Sequence, residues 1–298
     1  MKSNFSRIAA LLGCLGLAAA SLSAQAVTTW SYNTLSTNTT QASFTSAGSP
    51  TGVATGTVTG YGAVNNTTAL GNAINVTEYG SNGLGICGTV TDPSGCAVPS
   101  HALDNSTGTE SLLVGFGGKS IQLTNLTLGY TQEAIGSVQT TSGVASGNSS
   151  YANRGDISVL AYVGSGDPTT ALKTLTYATL TSNNWKVIGN YGDVVAGTNI
   201  GINSAAVSSS YWLITAYNSI FNVAGGPGCT VESTGGDGCS GSPSAFGIGS
   251  DFVKLATVSG NLGGGGGGKV PEPTPMALLG VSLLGFIAMR RRQKSDAS

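Results

Sequence analysis

The chain has 298 residues, of which 8% are charged and 40% hydrophobic. Between Val27 and Lys269 six Lys or Arg stand against eleven Asp or Glu, which excludes a basic phosphate-binding face and, with it, nucleic acid as a partner. The surface must be built from Ser, Thr, Asn and Gly, a composition suited to a domain outside the cell.

At the N-terminus Lys2 and Arg7 precede an apolar run from Ile8 to Ala20, and Ala24-Gln25-Ala26 supplies the small-x-small pattern of a signal-peptide cleavage site. Residues 1–26 are therefore expected to be removed during export across the inner membrane, so that the mature chain starts near Val27. Leu11-Leu12-Gly13-Cys14 offers a lipidation reading, but acylation there would truncate the apolar run, and cleavage at Ala26 is preferred. Removal of Cys14 leaves Cys87, Cys96, Cys229 and Cys239. An even number outside the cytosol favours disulfides, and close spacing pairs Cys87 with Cys96 and Cys229 with Cys239. A zinc site would need four converging thiolates, and neither pair has Cys-x-x-Cys spacing.

Residues 27–262 read as one all-β domain, a β-sandwich of jelly-roll type. Short β-rich runs are broken by Gly, Asn and Ser clusters, and no helical apolar period is sustained there. The first turn to weigh is "PSHALDNSTG". His101 is the single histidine, so an extracellular hydrolase would have to use it with Asp104, but no Gly-x-Ser-x-Gly elbow accompanies them. The preferred reading is a turn whose Asp104 and Asn105 side chains bond backbone amides. Asp104, Asn105 and Glu110 are also oxygen ligands of the kind calcium takes.

In "SLLVGFG", Leu112, Val114 and Phe116 share a face. In "SIQLTNLTLGY" the apolar parity runs Ile121, Leu123 and then Leu126, Leu128, Tyr130. Keeping both halves on one core demands an extra residue near Thr124 and Asn125, hence a β-bulge. The following "TQEAIGSVQTTSGVASGNSSYANRG" reads as an exposed loop or a weakly paired hairpin. "DISVLAYV" and "YWLITAY" are apolar on both faces, as in mid-sandwich strands. Arg154-Gly155-Asp156 matches an integrin tripeptide by chance only. The remaining carboxylates are scattered and define no glycosidase pair. Trp30, Trp185, Trp212 and ten tyrosines offer rings for a carbohydrate-binding platform, with core packing favoured for Trp212.

Gly263 to Gly268 is a run of six glycines that reads as a tether, residues 263–269, closing the domain. Val270-Pro271-Glu272-Pro273 follows, then the uncharged Met276–Met289, then Arg290, Arg291, Arg292 and Lys294. As a helix at about 1.5 Å per residue that apolar stretch spans about 21 Å, short of a hydrocarbon core of about 30 Å. The basic cluster places its end on the cytoplasmic side. Residues 270–298 thus read as a short transmembrane helix with a rigid, helix-incompatible segment before it.

This order of motif, apolar helix and arginine stop resembles the PEP-CTERM sorting signal of Gram-negative exopolysaccharide producers. The resemblance implies that exosortase, a membrane-embedded cysteine transpeptidase, recognises Pro271-Glu272-Pro273 and removes the helix and basic tail. "SHALDN", "ESLLVGFG", "IQLTNLTLGY" and "GDISVLAYVG" also resemble β-rich exosortase-dependent surface proteins, and their order is similar to discoidin-like jelly rolls. The expectation is a non-enzymatic surface or matrix protein without cofactor, anchored first and then released to the cell surface, in contact with exopolysaccharide and biofilm. The competing expectations are a carbohydrate-binding module and a hydrolase using His101.

Overall fold

Which face of each strand is buried follows from the alternation of apolar residues along it. The computed structural model describes residues 27–32, 39–45, 52–53, 55–71, 74–78, 82–87, 102–105, 108–135, 139–140, 143–144, 155–192, 194–221 and 249–262. In chain order the strands are β1 (Thr28–Ser31), β2 (Gln41–Thr45), β3 (Thr55–Ala63), β4 (Val76–Glu78), β5 (Leu84–Ile86), β6 (Leu103–Asp104), β7 (Thr109–Gly115), β8 (Ile121–Ile135), β9 (Gln139–Thr140), β10 (Gly143–Val144), β11 (Ile157–Tyr162), β12 (Trp185–Tyr191), β13 (Asn199–Gly201), β14 (Tyr211–Ala216) and β15 (Gly249–Leu262). One four-residue helix, α1 (Thr169–Leu172), and three 3-10 turns complete the described elements.

One sheet runs β13-β8-β15-β5-β4, with β1 and β6 also paired to β15; the other runs β12-β11-β14-β7-β3-β2. All of these pairings are antiparallel. The described residues are thus all-β, with two large sheets and the two-stranded pair β9-β10. One hydrophobic core draws on both: Leu112, Val114 and Phe116 from β7 and its end, Val159 from β11 and Trp212 and Ile214 from β14 meet Leu126 and Leu128 from β8 and Val253 and Leu255 from β15.

The six-stranded sheet is also covered over part of its second face. Leu113, Leu160 and Leu213 point away from the first core and pack with Leu172, Tyr177, Leu180 and Trp185. These belong to β12 and the segment just before it, where α1 and the 3-10 turns Tyr177–Thr179 and Thr181–Asn183 cover the outer face. That cover explains why β11 and β14 are apolar on both faces. It escapes sequence reading because each helical element is about one turn long, too short to show a period.

The bulge expected in β8 is present. Asn125 pairs with Ser259 and Leu123 with Gly260, so Thr124 is the extra residue. Its consequences are repaired locally: the Ile202 amide donates to the Thr124 carbonyl at 2.8 Å and Asn203 Nδ2 to the Leu123 carbonyl at 2.8 Å. Ile121, Leu123, Leu126 and Leu128 consequently all face the shared core.

Tyr130 does not join them, which corrects its expected facing. A second irregularity skips Gly129, since Leu128 pairs with Leu255 and Tyr130 with Lys254. The extra residue flips Tyr130 out of the shared core and against Ala102 and Phe252. Only glycine fits at the flip, because a Cβ on residue 129 would lie 2.3 Å from the Asn82 carbonyl oxygen.

Beyond Tyr130 the chain keeps pairing where a loop was one expectation. Thr131–Ile135 continue β8 against Gly249–Val253, and Gln139–Thr140 pair with Gly143–Val144 as a small hairpin. Ladder pairing needs backbone groups rather than apolar side chains, so a sparse apolar pattern does not prevent it.

Candidate functional site

The outer face of the six-stranded sheet changes character from one side to the other, and the change creates a groove. Across β14, β7, β3 and β2 one row of aligned residues reads Leu213, Leu113, Thr59, Gln41, and the next reads Tyr211, Gly115, Thr57, Ser43. The apolar half of this face is covered by the helical segment; the hydroxyl-bearing half is left as the floor of a groove of about 550 Å³, walled by Asp167, Thr170 and Lys173.

Gly115 makes room for the ring of Tyr211 in that floor. A Cβ there would fall 2.8 Å from Thr57 Oγ1 and 3.1 Å from Tyr211 Cε1. The Tyr211 pKa is raised, first by burial and then by the charge of the neighbouring Asp167 carboxylate. Asp167 Oδ1 accepts the Thr169 amide at 2.9 Å, which holds its carboxylate. Gln41 Nε2 donates to Thr59 Oγ1 at 3.2 Å.

A second cleft of about 480 Å³ lies on the other side of Tyr211 and Asp167, which line both. Tyr162, Ser120 and Ser208 contribute to its wall. Ser209, buried at 3% exposure, joins the two strands that carry these tyrosines. Its hydroxyl lies 2.6 Å from the Tyr162 carbonyl and accepts the Tyr211 amide at 3.0 Å. Trp185 backs Tyr162 with ring centroids 5.3 Å apart.

The described part of the turn singled out from sequence lies elsewhere, with Asp104 and Glu110 buried and Asn105 half-buried. Glu110 Oε2 accepts the Asp104 amide at 3.1 Å, while Oε1 has no hydrogen-bond partner among the described residues. Burial raises the Glu110 pKa well above the usual carboxylate range, and the charge of Asp104 adds to the shift. Asn105 turns the other way: Nδ2 donates to Asp251 Oδ2 at 2.8 Å and its Oδ1 accepts the Asp251 amide at 2.7 Å. Asp251 Oδ1 in turn accepts the Asp156 amide at 2.9 Å. The arrangement is a hydrogen-bonded turn beside a buried carboxyl group whose pKa is raised. Among the described residues no three His, Cys, Asp or Glu side chains converge as metal ligands.

The tryptophans do not form a sugar platform. Trp30, Trp185 and Trp212 are 0%, 2% and 0% exposed, so the core reading favoured for Trp212 holds for all three. Half-buried tyrosines line the clefts instead. Sequence reading gave Asp167, Lys173, Tyr162 and Tyr211 no shared place. The one local cue was the Asp-Pro turn of "GSGDPTT", and their convergence depends on strand register.

Cys87, which follows β5 and is fully buried, is disulfide-bonded. Cys96, Cys229, Cys239, His101, Ala24 and Ala26 lie outside the described residues, as do Val270, Pro271, Glu272, Pro273, Arg290, Arg291 and Arg292. Among the described residues no helix is long and apolar enough to cross a membrane.

Residues 269–292 match the family model of the PEP-CTERM protein-sorting motif. The chain carries a PEP-CTERM sorting signal. The matched range holds the Val270–Pro273 segment and all three arginines from Arg290 to Arg292. The PEP-CTERM signal implies export, a membrane-anchored sorting stage, processing by exosortase and arrival at the surface. No curated protein and no solved structure matches the chain.

Proposed function

We propose that this protein is a non-enzymatic β-sandwich of a Gram-negative envelope, released by exosortase at Pro271-Glu272-Pro273 and retained in the exopolysaccharide or biofilm layer. The observation that carries the reading is the PEP-CTERM match over residues 269–292. The signal peptide ending at Ala26 delivers the chain across the inner membrane, and Met276–Met289 with Arg290–Arg292 hold it there. Proline removes backbone donors and disfavours helix before it, so Pro271-Glu272-Pro273 suits recognition by the transpeptidase as a helix-incompatible segment with one carboxylate. A low-charge, hydroxyl-rich domain is compatible with a hydrated polymer layer, and the buried turn at Asp104 and Glu110 supports a structural role there.

The test is intact mass of the protein recovered from envelope and culture medium, with and without Pro271-Glu272-Pro273 replaced by alanines. A species beginning at Val27 and ending near the motif, lost in the triple variant, is the expected result. Retention of the tail through Ser298 in both proteins would overturn processing and leave a tethered envelope domain. Turnover on an ester, glycan and peptide panel that disappears in His101→Ala would overturn the non-enzymatic reading.

A further inference from the structure

We propose that the clefts on either side of Tyr211 and Asp167 form one binding site for a neutral polysaccharide chain. In this site Tyr211 lies against a sugar ring face and Asp167 accepts hydrogen bonds from sugar hydroxyls.

Three features of the groove select this ligand class. The floor and walls carry Ser43, Thr57 and Thr170, and hydroxyls both donate and accept, as sugar hydroxyls require. The charged side chains in the lining, Asp167 and Lys173, are of opposite sign, which disfavours polyanions such as nucleic acid. A site for an apolar ligand would be walled mainly by hydrophobic side chains, whereas here the uncovered half of the sheet face presents Thr and Gln in register. Tyr211 is the ring common to both clefts, half-buried in the floor and seated over Gly115, where a Cβ would fall 3.1 Å from its Cε1. A half-buried aromatic face beside a held carboxylate can meet both the C–H and the O–H sides of a pyranose.

The extent of the site argues for a chain rather than a single sugar. Asp167 and Tyr211 line both clefts, so a ligand crossing them meets the hydroxyls of Ser43 and Thr57 on one side and those of Ser120 and Ser208 on the other. This reading deepens the proposed retention in an extracellular polymer and rests on it for where the polymer is met. Binding itself does not depend on how the tail is processed.

The experiment is affinity electrophoresis of the full chain in detergent through gels containing soluble glucans, mannans, galactans or uronate polymers. It is run on wild type, Tyr211→Ala, Asp167→Asn and Thr170→Trp. Thr170 is exposed on the wall, so the tryptophan blocks the groove without entering a core, and thermal unfolding of each variant checks the fold. The expected result is retardation by at least one neutral polymer, weakened about tenfold by Tyr211→Ala and by Asp167→Asn, which lose a ring contact and a charge-assisted hydrogen bond, and weakened at least as much by Thr170→Trp, which blocks the groove. Unchanged retardation in folded Thr170→Trp, no retardation by any neutral polymer, or retardation by uronates alone that salt abolishes would each overturn the site. Intact mass of the same samples reports tail processing separately, so failure of the sorting reading and failure of the groove are distinguishable.

Discussion

Replacing Asn203 with alanine tests how the β8 bulge is held. Asn203 is 4% exposed and sits in the left-handed region at φ 59°. Its side chain makes three bonds: Nδ2 donates to the Leu123 carbonyl at 2.8 Å and to the Val207 carbonyl at 2.8 Å, and Oδ1 accepts the Val207 amide at 2.8 Å. Alanine removes all three and leaves buried backbone groups short of partners, at about 1–3 kcal/mol for each group left unsatisfied. It also meets the left-handed backbone penalty of about 1–2 kcal/mol, which asparagine partly escapes. Taken at the low end of each range, these give about 4 kcal/mol or more. For a domain of this size each kcal/mol moves Tm by about 2–4 °C, so a fall of roughly 10 °C or more is expected by circular dichroism on the purified chain. Asn203→Gly keeps the backbone geometry and loses only the bonds, so it should fall between wild type and alanine. An alanine variant within about 0.5 kcal/mol of wild type would refute the bracing role, and a glycine variant less stable than alanine would refute the backbone share of the cost.

Two further outcomes follow from buried groups. Glu110 is protonated in the folded state above the ordinary value of 4.5, mainly through burial. The folded chain therefore binds more protons than the unfolded one from about pH 4.5 up to the folded pKa. Across that window stability should fall as pH rises, by up to about 1.4 kcal/mol per pH unit. Glu110→Gln should remove this component of the slope in urea titrations at pH 5 to 8, and profiles parallel to wild type would refute the assignment. Cys87→Ser should cost about 2 kcal/mol or more, the low end for a disulfide closing a short loop. Non-reducing peptide mapping should join Cys87 to Cys96, and a Cys87 peptide linked to Cys229 or Cys239 would sink that pairing.

The two ends of β8 show what could be read from the sequence and what could not. The parity switch between Leu123 and Leu126 revealed the first bulge, because an apolar residue on the wrong phase must be corrected by one inserted residue. The second bulge was hidden by Tyr130, whose ring is apolar enough to pass for a core residue and yet packs well on a half-exposed face. Gly129 was the overlooked cue, since glycine within a strand often marks a bulge or a close backbone approach. The groove was illegible for a related reason. Tyr211 is adjacent to Trp212, and a strand apolar on both faces gives no sign of where its outer cover stops. That limit is set by a segment of single-turn helices and by Gly115 opposite Tyr211, neither of which carries a periodic signal.

The placement of β15 constrains where processing can occur. β15 pairs with β8, β1, β6 and β5, and its last residues align Gly260, Asn261 and Leu262 with Leu123, Gln122 and Ile121. A cut upstream of Leu262 would strip partners from the bulged segment of β8, whose register positions Leu123 and Leu126 in the shared core. A cut downstream leaves every described pairing intact. Residues 263–269 lie between the end of the strand and Val270 in the sequence. A transpeptidase acting at the motif therefore needs no unfolding of β15, and a mature C-terminus found inside Gly249–Leu262 would have to come from proteolysis of an already opened domain.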